Sequence, residues 1–263
     1  MSADASFFQW VAFIWEQNWP LFLRGAGNTL LIALTGTIIG FIIGIIIGVI
    51  RTIPVDHNTT TLKKGILKVA DILLLCYIEV FRGTPMMVQA VVIFYGVAMV
   101  YGIHLNPISA GIVIVSINTG AYMAEIVRGG ILSIDKGQFE AAHAIGMTHT
   151  QTMTSIILPQ AVRNILPATS NEFVINIKDT CVLSVISITE LFFNSKSAAG
   201  ANFRYFETFL ITCIIYLIMT STVTRILRWW EKRLDGPSVY TIHGSQTVPE
   251  AQFRIVDGGK LHG

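Results

Sequence analysis

The chain has 263 residues, of which 52% are hydrophobic and only 13% are charged, against roughly 25% charged in an ordinary soluble domain. This composition predicts an all-α polytopic membrane protein. The net charge of +2, with no basic stripe interleaved with aromatic residues, argues against nucleic-acid binding. The three cysteines are scattered through apolar segments, so we expect packing residues rather than disulfides.

The first uncharged stretch runs from Gly25 to Ile50 and is long enough to cross a bilayer core of about 30 Å with some tilt. Residues 1–23 are predicted to form an extracytoplasmic segment. No basic residue precedes Arg24, so no cleavable signal peptide is expected. Within the span, glycines recur at every fourth position, a spacing that lets a neighbouring helix approach closely. These are Gly36, Gly40, Gly44 and Gly48.

The next apolar region, Leu67 to Tyr101, is too long for one straight span and is interrupted by Arg82-Gly83-Thr84-Pro85. Proline lacks a backbone donor and disfavours helix in the preceding residue. We predict a broken segment, or an interfacial helix followed by a span that starts near Pro85. Three more spans bring the total to about five transmembrane helices: Ile108 to about Val127, about Leu166 to Leu191, and Phe206 to about Leu227.

Lysine and arginine concentrate in three connecting segments, 51–68, 128–163 and 225–233. The positive-inside rule then predicts an N-terminus outside the cell and a C-terminus in the cytoplasm, which an odd number of spans requires. Trp229 and Trp230 lie beside the last basic group and indicate an interfacial anchor. The segment 233–263 is polar and predicts a poorly ordered cytoplasmic tail.

A polar loop at about 135–160 lies between two apolar segments. Its first half predicts a short helix with Phe139, Ala142 and Ile145 on one face, and Gly146 is expected to end that helix in a conformation available cheaply only to glycine. A second helix should run from Thr148 to about Leu158, where Pro159 stops it. The pattern alone is equally compatible with a compact helix–turn–helix that moves as a rigid body and with an ordinary cytoplasmic connector that contains an amphipathic helix.

This loop also carries a motif, Glu140-Ala141-Ala142-x-x-x-Gly146 followed by Ile156-x-Leu158-Pro159. It resembles the EAA loop in the membrane-spanning subunits of ATP-binding-cassette (ABC) importers. Other segments resemble the polar amino acid permeases of the histidine, glutamine and arginine group, and the resemblance covers roughly residues 20 to 232. These segments are Phe81–Pro85, Asn118–Ile131, Lys178–Thr180 and Thr189–Leu191.

The resemblance implies a type I importer fold, with a transmembrane permease domain over 24–232 and a cytoplasmic coupling helix. It implies that separate ATPase subunits dock on the residues of the motif: Glu140, Ala141, Ala142, Gly146, Ile156, Leu158 and Pro159. The expected partners are an ABC ATPase dimer, a second permease subunit (identical or paralogous), an extracytoplasmic amino acid-binding protein and membrane lipid. The expected location is the bacterial cytoplasmic (inner) membrane.

The chain contains no G-x-x-x-x-G-K-[ST] phosphate loop, so we expect ATP and magnesium to be bound by the partner ATPase subunits. The histidines lack metal-ligand spacing, and neither a metal site nor a catalytic residue is expected in this chain.

Polar residues inside the predicted spans are energetically costly and therefore suggest a substrate pathway. A zwitterionic amino acid needs a cation for its carboxylate, and Lys178 is the first candidate, with Arg82 as the second. Acidic and amide groups could receive the ammonium group. The candidate pathway residues are Arg82, Gly83, Thr84, Pro85, Asn118, Tyr122, Glu125, Lys178, Asp179 and Thr180. The alternative is structural ion pairing, for example between Glu125 and Arg128, or between Lys178 and a glutamate of another helix.

Two other function classes fit less well. An ion-coupled secondary carrier usually shows internal repeats with matching discontinuous helices, and here one broken segment has no counterpart. An intramembrane enzyme would need a nucleophile–base pair or metal spacing at membrane depth, and neither occurs.

Overall fold

The computed structural model describes residues 6–53 and 60–234, and those residues are almost entirely helical. The predicted tail beyond Leu234 lies outside the described residues. The helices are α1 (Phe7–Ile50), α2 (Thr61–Gly83), α3 (Met86–Tyr101), α4 (Pro107–Leu132), α5 (Lys136–Ala144), α6 (His149–Thr152), α7 (Leu158–Asp179), α8 (Leu191–Asn202) and α9 (Tyr205–Leu234). A π-helical turn, Met153–Ile157, joins α6 to α7, and a 3₁₀ helix, Thr180–Ile186, follows α7.

Within the described residues, three helices are long and apolar enough to cross a membrane, α1, α4 and α9. The pair α2 and α3 counts as a fourth only if it is taken as one span, because its two helices meet at 112°. The first span starts earlier than expected: α1 begins at Phe7, includes Pro20, and continues through the predicted boundary at residue 24.

The predicted span from Leu166 to Leu191 is not one helix, and this expectation was wrong. Helix α7 begins at Leu158 and ends at Asp179, and the chain then turns through the 3₁₀ helix and an extended stretch before α8 starts at Leu191. Several polar side chains along α7 explain why it is not among the helices that qualify as spans by composition alone.

The glycine stripe of α1 packs along α4, as its spacing predicted. A Cβ added to Gly36 would lie 2.5 Å from Val115, one on Gly40 2.7 Å from Thr119, and one on Gly44 2.3 Å from Met123. Gly48 meets Val127 in the same way, at 2.7 Å. The glycines of α1 and the residues that they meet on α4 both recur every four residues. The two helices therefore stay in close contact over more than three turns.

The predicted break at Arg82–Pro85 is present, and hydrogen bonds from side-chain amides hold the bend in place. Gln89 donates from Nε2 to the carbonyl oxygens of Phe81 and Thr84, each at 2.9 Å. Asn118 of α4 donates from Nδ2 to Gln89 Oε1 at 2.9 Å and to the Phe81 carbonyl at 3.2 Å. These bonds satisfy carbonyls that the end of α2 leaves without helical partners, so the bend is held by α4.

Candidate functional site

Helix α5, which carries the Glu-Ala-Ala motif, is a short helix with both ends capped. Asp135 accepts a hydrogen bond at Oδ1 from the Gly137 amide, at 2.7 Å. At the other end Gly146 has φ +82°, and the amides of Gly146 and Met147 donate to the carbonyls of His143 and Ala142, each at 3.0 Å. This pair of bonds is a Schellman ending. The expectation that Gly146 ends the helix in a left-handed conformation is confirmed.

One face of α5 is fixed to the bundle. Ala142 is buried and Phe139 packs against an apolar cluster that joins the end of α4 to the start of α7. Ile156 and Leu158 are partly buried against the same cluster. These two motif residues therefore anchor the loop to the spans. The cluster contains Val127, Ile131, Ile134, Met153, Ile157, Ala161 and Ile165.

The opposite side of α5 faces outward. Glu140, Ala141, Ala144 and Gly146 are exposed, and Ile145 is 77% exposed. Ile145 was predicted to lie on one helix face with Phe139 and Ala142, but it follows the last residue of α5 and is exposed whereas Ala142 is buried. We name the exposed set Glu140, Ala141, Ala144, Ile145 and Gly146 the coupling surface.

The prediction that Pro159 stops the second helix was also wrong. Pro159 is the second residue of α7, which continues to Asp179. The π-helical turn precedes it, and the Leu158 amide bonds to the Met153 carbonyl, five residues back. Since proline is tolerated in the first turn of a helix, the wider turn lets the chain pass from α6 into α7 without a stop. Helix α6, the π-helical turn and α7 are thus one continuous helical element.

Glu125 lies in an ion network at the end of α1. Arg51 pairs with Glu125 and with Asp71 at 3.0 Å, and Arg128 pairs with Glu125 at 2.9 Å. The network joins α1, α2 and α4. This placement favours the structural ion-pair interpretation of Glu125 over contact with an amino acid.

The other predicted pathway residues divide between two places. At the break, the Arg82 guanidinium lies 5.4 Å from the centre of the Tyr122 ring, next to Gly83, Thr84 and Pro85. Arg82 also interacts electrostatically with Glu172 of α7, and Glu172 with Asp179 two turns further on. Among the described residues neither carboxylate makes a salt bridge with Arg82. We name Arg82 and Tyr122, which are in contact, together with Glu172 and Asp179, which lie within electrostatic range, the amphoteric cluster.

Lys178 lines a different surface from Arg82 and Tyr122. It lines a groove between α7 and α9 with Arg225 and Arg228, and no salt bridge of the described residues includes it. The predicted pairing of Lys178 with a glutamate of another helix is therefore not found among those residues. Thr180 is buried and donates to the Ile177 carbonyl at 3.0 Å, which gives it a local role. Adjacent helix positions point about 100° apart, which explains why Lys178 and Asp179 face different surroundings.

Sequence reasoning did not single out Gln89 or Asn176, and it included Glu190 only within a segment that resembles the permease family. Gln89 organises the break, and buried Asn176 donates to Thr37 at 2.8 Å and Thr119 at 3.0 Å, which joins α7 to α1 and α4. Glu190 is fully buried and accepts from the amides of Phe192 and Phe193 at 2.8 and 2.6 Å, and so caps α8. A polar residue in an apolar segment was the available signal for each of them.

Comparison with known proteins agrees with this architecture. Residues 62–236 match the family described as binding-protein-dependent transport system inner membrane component. The glutamine transport system permease GlnP of Escherichia coli K12 is 37% identical over 226 residues, covering 84% of this chain and 98% of that protein. The arginine transport system permease ArtQ of Bacillus subtilis is 33% identical, covering 82% and 94%.

A crystal structure of an amino acid ABC transporter with histidines superposes with a TM-score of 0.72 at 36% identity, over 89% of this chain and 100% of that chain. The MetNI methionine ABC transporter shares the fold, with a TM-score of 0.64 at 19% identity over 83% and 96%. The motif of the loop, the helical fold and these matches agree, and the chain belongs to the family of multi-pass inner-membrane components of binding-protein-dependent transport systems.

Proposed function

We propose that this chain is the membrane-spanning subunit of an ABC importer that carries a polar amino acid of the glutamine, glutamate, histidine and arginine class. The observation that carries the proposal is the coupling surface, a capped helix end that exposes small residues and one large apolar side chain while its other face is fixed to the spans. Small side chains let a partner approach the backbone, and Ile145 offers it an apolar anchor.

Movement of α5 would reach the spans through the buried cluster. Phe139 connects α5 to the cluster, and that cluster includes residues of both α4 and α7. Closely packed interiors transmit displacement, so a partner that holds α5 differently in two states would shift the balance between two arrangements of the helices. Alternating access that is driven by a partner outside the membrane requires such a shift between two arrangements of the helices.

The motor in this scheme is an ABC ATPase dimer, whose subunits bind ATP and magnesium and dock on the coupling surface. A second permease subunit, identical or paralogous, completes the pathway, and an extracytoplasmic binding protein delivers the amino acid. The basic segments 51–68, 128–163 and 225–233 support an orientation with the N-terminus outside and the coupling surface in the cytoplasm of a bacterial cell.

The amphoteric cluster is the proposed contact for the amino acid. The Arg82 guanidinium offers fork-shaped donors for a carboxylate, and Glu172 and Asp179 offer acceptors for an ammonium group or a cationic side chain. Tyr122 restricts the position of Arg82 by stacking. Relatives named for glutamine, arginine and cystine transport support a polar amino acid as the cargo.

Transport in reconstituted vesicles tests the function. We expect uptake only when ATP, the ATPase subunits and the binding protein are all supplied. Uptake by this chain alone, driven by an ion gradient, would replace the proposal with the secondary carrier.

The coupling surface has its own test. Glu140→Lys should leave the protein inserted but weaken ATPase docking and transport, because the change places a long cation on the exposed side of α5. Ser197→Lys adds the same side chain at an exposed position of α8 and should have little effect on either. Equal docking by the two variants would count against the coupling role.

A further inference from the structure

A groove between α7 and α9 collects positive charge on the side of α7 that carries Lys178. It has a volume of about 300 Å³ and is lined on α7 by Lys178 and Val174. Helix α9 contributes hydroxyl and guanidinium groups, those of Thr220, Ser221, Thr224, Arg225 and Arg228. Among the described residues no carboxylate lines the groove, and no salt bridge includes its lysine or its arginines. The groove therefore presents hydrogen-bond donors to an acceptor such as a carboxylate or an amide oxygen.

The groove lies at the mid-depth of the helix bundle. Asn176, two residues before Lys178, donates to Thr37 at 2.8 Å and to Thr119 at 3.0 Å. Thr119 is central in α4, and Thr37 is central in the uncharged stretch Gly25–Ile50 of α1. Two helical residues rise only about 3 Å, so Lys178 lies close to this central layer.

The position of α9 gives the same depth. Tyr216 donates to Glu190 at 3.1 Å, and the amide of Leu191 donates to Thr29 of α1 at 3.2 Å, so Tyr216 and Thr29 share a level. The central layer lies about 12 Å further along α1 from Thr29, and Arg225 lies about 14 Å further along α9 from Tyr216. Both helices begin at the same end of the bundle, where aromatic rings of their first turns meet. Arg225 is therefore also near the central layer.

Charged side chains at this depth need water or protein around them. Lys178, Arg225 and Arg228 are all exposed in the single chain. A charge in the centre of a bilayer is costly, and charged residues there face the bundle interior or a water-filled cavity and mark substrate pathways. The groove should therefore face the aqueous pathway of the assembled transporter rather than lipid.

The groove adjoins the amphoteric cluster through α7. Lys178 lines the groove, the next residue, Asp179, belongs to the cluster, and the two interact electrostatically. Together the groove and the cluster hold four cations and two carboxylates, so positive charge is in excess. Charges interact more strongly inside a protein than in bulk water. This excess attracts an amino acid with a second carboxylate and repels one with a cationic side chain.

We propose that the side chain of the transported amino acid enters this groove, which selects an acidic or carboxamide side chain, as in glutamate and glutamine, over a cationic one, as in arginine. The inference rests on the import function proposed above and narrows its substrate class. The lysine and the two arginines of the groove hold the side-chain oxygens, and the hydroxyls of α9 supply further hydrogen bonds. The amphoteric cluster keeps its contact with the α-carboxylate and α-ammonium groups.

Thiol modification measures the charge and the water access of the groove without relying on transport. The purified transporter in nanodiscs carries Ser221→Cys, with the native cysteines replaced by alanine. It is treated with an anionic methanethiosulfonate reagent (2-sulfonatoethyl) or a cationic one (2-trimethylammonioethyl). A cleft lined by one sign of charge raises the local concentration of the opposite ion by about ten-fold or more. We expect the anionic-to-cationic rate ratio to exceed that at Ser197→Cys, an exposed position of α8, by about this factor.

Charge-removing variants and amino acids complete the experiment. The double variant Arg225→Gln, Arg228→Gln should bring the rate ratio at position 221 to within about two-fold of the ratio at Ser197→Cys. Lys196→Gln removes a positive charge from α8, outside the groove, and should leave the ratio unchanged. L-glutamate and L-glutamine should slow the modification of Ser221→Cys, whereas L-arginine at the same concentration should not.

Absence of reaction with either reagent would place the groove against lipid or a second subunit and overturn the proposal. Equal rate ratios at the two cysteine positions, or equal protection by arginine and glutamate, would do the same. Failure of the import function gives a different result, because a protein that takes up no amino acid in the vesicle assay would still show the anionic preference. A transporter that imports arginine as well as glutamate would keep the import function and lose this substrate class.

Discussion

Replacing Gly44 by alanine should destabilise the protein, although alanine is ordinarily the better helix former. Gly44 lies in the middle of the close contact between α1 and α4. An added Cβ would be 2.3 Å from the Met123 Cβ, 2.8 Å from the Met123 carbonyl carbon and 3.0 Å from the Ala124 nitrogen. Carbon atoms in good contact are about 3.5–4.0 Å apart, so the helices would have to separate locally by roughly 1 Å or more.

That separation cannot be absorbed by rotating a side chain, because the obstructing atoms are a Cβ and backbone atoms. Overpacking of this kind costs about 1–3 kcal/mol, whereas exchanging glycine for alanine in a helix contributes up to about 1 kcal/mol in favour of folding. The steric cost exceeds the propensity gain over most of this range. We therefore expect a net destabilisation of about 1 kcal/mol, within a range of about 0–2 kcal/mol.

Gly27 provides the matched control. It lies in the same helix, is exposed, and a Cβ there would meet no atom within 4 Å. Gly27→Ala should therefore leave stability unchanged or raise it slightly. The assay is thermal unfolding of the complex in one detergent, followed by loss of the monodisperse peak. If Gly44→Ala unfolds at the same temperature as Gly27→Ala, or above it, the inference that the glycine stripe fixes the α1–α4 distance is refuted.

Four further predictions concern the coupling loop and the buried polar groups. Gly146→Ala should cost about 1–2 kcal/mol through backbone strain alone, since φ is +82° and its Cβ would meet nothing, and faster amide exchange confined to α5 would show it. Asn118→Leu should cost about 1–3 kcal/mol in thermal unfolding by leaving Gln89 Oε1 without the Asn118 donor, and an unchanged midpoint would contradict it. Glu190→Ala should cost about 0.5–2 kcal/mol through loss of the α8 cap, and Glu190→Gln should lose less in the same assay. Burial, and then nearby positive charge from His143 and Lys63, lower the pKa of His149 below 6.5 in the folded protein, so its neutral form is favoured there and stability should fall as pH drops below about 6.5; a His149→Gln variant should show a shallower fall in acid titrations of unfolding.

The local features of the fold were open to prediction from sequence. Glycines four residues apart lie on one side of a helix whatever their neighbours are, so the close contact along α1 followed from spacing alone. The break before Pro85 and the left-handed residue at Gly146 followed in the same way, because both depend on the backbone of a few adjacent residues. The charge distribution and the motif of the loop were sufficient to predict the protein family.

Only the tertiary structure decided which polar side chains contact each other. Glu125 could be a substrate ligand or an ion-pair partner until Arg51, far away in the chain, was placed beside it. Lys178 and Asp179 are neighbours in sequence, yet Lys178 lines the groove between α7 and α9 and Asp179 does not. Periodicity records the face of a helix on which a side chain lies, but its partner comes from another helix, and the helix–helix arrangement depends on packing over the whole bundle.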